Sequence, residues 1–242
     1  MLRAALLIAG KDLRLALGAW RRGGGFLPAQ IVLLGLLVIF LFSLAPDLGA
    51  AGSGQDAALS PALAAILFWV VSLLAQTLIF QRLYGFEQNS GVRLALLTAP
   101  IPPQAVWLGK FLAGLALLAL VQIILGPALI LLLRQSLAGA LLPALAGLCL
   151  ADLGLAALGA LLGAFCAAPD KRAGRGALPA ILSLPLLIPL LLAASRLCQL
   201  GLTQSPSLPA PETAPWLGLL AAFDALVIGA ALVLFPFVFR EE

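Results

Sequence analysis

Apolar and polar positions fall along this chain in long blocks rather than at the spacing of one helix face or one strand face. Six apolar runs are long enough to cross a bilayer, which takes about 20 helical residues. They occupy roughly 26–46, 61–81, 104–133, 138–167, 177–195 and 215–239. The third and fourth are separated only by the LRQSL stretch around Arg134, which predicts a tight helical hairpin. The prediction is an all-α membrane protein with six transmembrane helices.

A different pattern precedes the first run. Arg3, Lys11, Arg14, Arg21 and Arg22 fall within one arc of about 100° when placed on a helix, and leucines occupy much of the rest. This predicts an amphipathic helix over 1–22 lying in the membrane interface, its basic face toward anionic headgroups. A solvated cytoplasmic helix is the alternative. The apolar stretch LRAALLIAG is interrupted at once by Lys11, Asp12 and Arg14, so it is not expected to act as a cleaved signal. Gly23, Gly24 and Gly25 make a joint into the membrane unit, 23–242.

Six crossings put both termini on one side. Arg3, Lys11, Arg14, Arg21, Arg22, Arg82, Arg93, Lys110, Lys171, Arg172, Arg175 and Arg240 fall on that side, leaving Arg134 and Arg196 of the 14 basic residues on the other. Basic residues collect on the cytoplasmic side, so both termini are expected there. The segments 47–60 and 196–214 are then external, the second extended by its prolines.

Composition sharpens this picture. Of the 242 residues, 63% are hydrophobic and 10% charged, whereas a soluble domain is about one quarter charged. A cytosolic enzyme, a disordered tail and a disulfide-rich secreted module are excluded. The net charge of +4 reads as a topology signal, not as a nucleic-acid surface. The chain has no histidine, hence no histidine base, metal ligand or haem ligand. Cys149, Cys166 and Cys198 are too far apart for a thiol-metal or CxxC motif; the first two read as small hydrophobes within spans. No P-loop is present, so the chain does not cradle ATP. With no nucleophile–base pair either, it reads as a non-catalytic subunit.

Three segments carry candidate chemistry. After the second run, QRLYGFEQNSGVRLALLTAPIPPQAVWLGK places Arg82, Glu87 and Arg93 at the cytoplasmic surface. Between Gly91 and Pro100 lies a short amphipathic stretch, which Pro100, Pro102 and Pro103 end before the next span. It reads as a docking element for a soluble partner or as a connecting loop. In the fifth run, Pro179, Pro185 and Pro189 each remove a helix hydrogen bond, predicting a kinked or partly unwound span. Asp152 and Asp224 lie inside the fourth and sixth runs, where a carboxylate is costly and marks a functional path or a bond across a helix interface. Ala156, Gly159, Gly163 and Ala167 recur three or four residues apart and predict close helix packing.

Two blocks of this sequence resemble a known family. One comprises Arg82, Leu83, Tyr84, Gly91, Pro100-Ile101-Pro102 and Lys110; the other is GRGALPAILSLPLLIPLLL, residues 174–192. Both are similar to the haem exporter protein B family (CcmB), the ABC-type permease of cytochrome c maturation. Asp152 and Asp224 are not part of the matching pattern.

The resemblance implies an ABC-2-like permease in the bacterial inner membrane, acting as a homodimer. It implies a separate ATPase dimer (CcmA-like) on the cytoplasmic side, a haem-handling membrane protein (CcmC-like) and a small helper (CcmD-like). Hydrolysis would be linked to haem export or to release of the haem-loaded chaperone (CcmE). The segment 85–103 would be the coupling loop, with Arg82, Tyr84, Glu87, Gly91 and Arg93 as its contacts. No covalent cofactor is implied, and haem, if met at all, is not ligated by histidine from this chain. Two other readings compete: an ABC-2 exporter for a lipid, polysaccharide or drug, and a proton-coupled carrier using Asp152 and Asp224. No internal repeat supports the carrier.

Overall fold

A computed structural model describes residues 1–18, 27–44, 59–88, 100–137, 139–167, 178–203 and 210–240. These hold seven helices: α1 (Leu2–Gly18), α2 (Leu27–Ser43), α3 (Pro61–Gln88), α4 (Pro103–Leu132), α5 (Leu141–Ala167), α6 (Leu178–Leu202) and α7 (Ala210–Arg240). Five are long and apolar enough to cross a membrane, and the apolar part of α2, Pro28–Ser43, is a shorter sixth. An all-helical answer follows from the solvent. In hydrocarbon each backbone N–H and C=O must be satisfied within the segment, which a helix does without help.

α5 is the hub of the bundle. It packs most extensively against α6 and α7, and also against α3 and α4. Its small residues make this possible: Ala151, Ala156, Ala157 and Ala160 are fully buried, and a Cβ on Gly147 would strike Leu197 of α6. Gly159 and Gly163 admit Phe80 and Tyr84 of α3, so the small-residue face expected there is used for internal packing.

Side-chain pairings give the helix directions. Along α3 and α5, Gln76 meets Leu155, and Tyr84 meets Ala160, so these two run parallel. Along α3 and α4, Leu83 meets Lys110, and Ser72 meets Gln122, so these run antiparallel. The alternation is the one that successive membrane crossings require.

Two expectations are corrected, and a third, that the proline-bearing span is kinked or partly unwound, loses its unwound alternative. α3 does not end at residue 81 but continues to Gln88; the apolar run stops before the helical hydrogen bonds do. The segment 196–214 is not extended throughout: α6 runs to Leu202 and α7 begins at Ala210. Pro211 falls in the first turn of α7, where a missing N–H costs no helical bond. α6 is one continuous helix through Pro185 and Pro189, with no unwound residues. Pro179 lies in its first turn, where proline is likewise tolerated.

The hairpin between α4 and α5 has a defined C-cap. Arg134 takes a left-handed backbone (φ 51), and the Gln135 N–H bonds back to the Ile130 carbonyl at 2.9 Å. That six-to-one closure satisfies carbonyls left open at the helix end.

Candidate functional site

The buried polar side chains among the described residues gather in two layers. The first lies where α1, the C-terminal end of α3 and the N-terminal end of α4 meet, here called the basic end. α4 restarts the chain at Pro103, after an extended Pro102. Two turns later it presents Lys110, which is fully buried.

α1 supplies the counter-charge. One face of it, Ala5, Ile8, Ala9, Asp12 and Ala16, is buried, and α4 is its principal neighbour. Small residues bring the backbones close: a Cβ on Gly109 would lie 2.8 Å from Ile8 Cβ. Asp12 Oδ2 is 2.9 Å from Lys110 Nζ, and Lys11 Nζ is 3.1 Å from Asp12 Oδ1. Lys110 Nζ also donates to the Leu83 carbonyl at 2.8 Å and lies 5.2 Å from the centre of the Tyr84 ring. The Tyr84 hydroxyl donates to the Ala160 carbonyl of α5 at 2.6 Å. A compact ammonium with three donors thus joins three helices, and Tyr84 extends the junction to a fourth. It also places a cation near the C-terminal end of α3, where the helix dipole favours one.

The expected surface residues divide accordingly. Arg82 is exposed on α3. Tyr84 is 5% exposed and faces the bundle interior, so its side chain belongs to the junction and not to a surface loop. Glu87 falls on the last turn of α3, with its side chain outside the description. Gly91 and Arg93 lie outside the described residues, as does most of 85–103. Tyr84→Phe should lower stability by about 0.5–1.5 kcal/mol, the worth of one net hydrogen bond, and thermal unfolding in detergent reads it.

The basic residues of α1 behave as a separate face. Arg3 and Arg14 are exposed, as are Leu2, Leu6 and Leu17. The helix therefore has an alanine-rich face on α4, a leucine flank and a basic edge. Arg21 and Arg22 lie outside the described residues.

The second layer is near the middle of the spans. Gln122 Nε2 of α4 donates to Asp152 Oδ1 of α5 at 2.8 Å and to Ser72 Oγ of α3 at 3.1 Å. Gln76 Nε2 donates to the Leu155 carbonyl at 2.8 Å. Asp152 is 6% and Asp224 5% exposed. They do not form a pair. Asp152 turns toward α3 and α4, while an Asp224 oxygen lies 2.5 Å from where a Cβ on Gly154 would stand. Positions 152 and 154 point to opposite sides of α5, being about 200° apart on the helix. A direct relay between the two carboxylates is not formed.

Sequence reasoning missed Asp12 as a partner of Lys110, and missed the amides. Both left a trace. Asp12 is the one acidic residue among the first 46, and Gln76 and Gln122 are isolated amides in apolar runs, where they act as interhelical glue.

A family model described as CcmB protein matches residues 3–241 of the chain. Among curated proteins, the chain is similar to heme exporter protein B of Rhodobacter capsulatus. The two are 33% identical over 198 residues, covering 80% of this chain and 82% of that protein.

Proposed function

The chain belongs to the CcmB family, the membrane permease subunits of the haem export system, and we propose that it couples ATP hydrolysis by a separate ATPase subunit to haem export or to release of a haem-loaded chaperone in cytochrome c maturation. The observation that carries this reading is the junction at the basic end. There the helix leading into the ATPase-facing segment is tied from inside to three other helices.

In this reading Arg82, Glu87, Gly91 and Arg93 contact the ATPase, and Tyr84 holds their helix from within. In this reading both termini lie in the cytoplasm of a bacterial inner membrane, as the distribution of basic residues favours. The exposed leucine flank and basic edge of α1 suit a helix at the lipid surface. The partners are a CcmA-like ATPase dimer, a CcmC-like haem-handling protein and a CcmD-like helper, with the permease itself a homodimer. The chain has no histidine and no P-loop. In this reading hydrolysis belongs to the partner, and haem is not ligated by histidine from this chain.

Affinity purification of the tagged chain in mild detergent from its native membranes, read by mass spectrometry, tests this. The expected result is an ABC ATPase recovered together with haem-handling maturation proteins. An ATPase without them would overturn the haem assignment and favour a different exported cargo. An intact complex lacking any ATPase would overturn the coupling reading.

A further inference from the structure

We propose that Lys110 is a positioning residue for coupling: its ammonium locks α1, the basic end of α3 and the start of α4 into one rigid body, so that movement of the ATPase-facing segment reaches the interfacial helix and the bundle together. The inference rests on the permease reading above and deepens it by naming the residues that transmit motion.

The geometry argues for a clamp rather than a local stabiliser. Lys110 is fully buried and Asp12 nearly so, yet they come from helices separated by most of the first half of the chain. The ammonium also contacts the Leu83 carbonyl, one turn before α3 gives way to the segment from residue 89. Tyr84, over which the ammonium lies, carries the connection to the central helix through Ala160. Each bond thus reaches a different helix. A charge pair out of water holds one geometry, because separating it exposes each ion to an apolar surrounding. Ile8 and Ala5 packed on Gly109 leave α1 no room to slide along α4. A push on the end of α3 therefore moves α1 and α4 with it.

Two variants of the assembled complex test this, each read as ATP hydrolysis and as ATP-dependent release of the haem-loaded chaperone in proteoliposomes. The first is Asp12→Leu with Lys110→Met, which removes both charges and leaves no ion unpaired. The expected result is normal membrane abundance, normal ATPase recruitment and unchanged hydrolysis. Release should be lower by at least about tenfold, within the range of coupling between distant sites. A merely structural pair would change abundance and recruitment without splitting hydrolysis from release.

The second variant carries Ile8→Cys and Gly109→Cys in a chain whose native cysteines are replaced by alanine. The Ile8 Cβ and a Cβ on Gly109 would lie 2.8 Å apart, so α1 and α4 must part by about 1 Å to reach the disulfide Cβ separation of about 3.8 Å, and the reduced form of the same variant controls for that shift. Oxidised and reduced forms should release chaperone equally, since the helices move as one. Wild-type release from the first variant, or loss of release on cross-linking the second, would overturn the proposal. If the first variant does not accumulate, the cross-link decides alone. A wild-type complex that recruits no ATPase would overturn the coupling reading and this role with it.

Discussion

Lys110→Met alone should cost about 3–5 kcal/mol and leave little folded protein in the membrane, because it strands a buried carboxylate. Asp12 is nearly inaccessible, and its other cationic neighbour, Lys11, is partly exposed. Losing Lys110 also removes the donor to the Leu83 carbonyl. The desolvation cost of Asp12 remains while most of its compensation is gone. Adding Asp12→Leu removes the stranded charge, so the double variant should recover most of the lost abundance. Quantitative immunoblotting of membranes and thermal unfolding in detergent check both steps. A single variant as stable as the wild type would mean that the pair contributes nothing in the folded bundle.

The second large effect is expected at Phe80. Its ring is wedged between helices, with Gly114 of α4 at its tip and Gly159 of α5 along one edge, and a Cβ on either glycine would collide with it. Phe80 is 3% exposed, so the ring has nowhere to turn. Gly159→Val should therefore cost about 1–3 kcal/mol or more through overpacking. Adding Phe80→Ala makes room for the valine, so the double variant should be more stable than the sum of the two single losses predicts. Contacting residues show couplings of about 0.5–3 kcal/mol, and thermal unfolding of all four combinations measures this one. Strict additivity would show that the ring and the glycine do not meet.

The spans were legible because the bilayer imposes a length and a composition on each of them. Run boundaries agreed with the helices wherever the bilayer sets the end. They failed where the helix outruns it, as in α3 beyond residue 81. There hydrogen bonding continues into a polar stretch that a hydropathy pattern reads as loop. Prolines misled in a related way. Pro211 suggested extended chain in 196–214, yet it lies within α7.

The basic-end junction was only half legible. Lys110 stood out as part of a family motif, whereas Asp12 was read only as one of the charges that interrupt the N-terminal apolar stretch, and nothing in the sequence brings together two residues on α1 and α4. Tyr84 likewise read as a surface contact because it neighbours Arg82. Two steps along a helix, from Arg82 to Tyr84, turn a side chain by about 200°, and that turn takes it from solvent into the bundle. The intramembrane aspartates were found at once, since any ion in an apolar run is conspicuous. Their facing opposite sides of α5 depends on which helices surround it, which one helix cannot reveal.

The polar layer in mid-span bears on biosynthesis. Segments enter the bilayer in chain order. Asp152 is the costliest group of its layer to place in hydrocarbon. Gln122 and Ser72 belong to α4 and α3, which precede α5, so a donor for Asp152 is already in the membrane when it arrives. Gln76, an uncharged amide, waits for the carbonyl that α5 brings. Asp224 comes last, on α7, when the Gly154 surface against which it packs is already in the membrane. The linear arrangement of the chain thus puts a donor for Asp152 into the membrane before that carboxylate arrives.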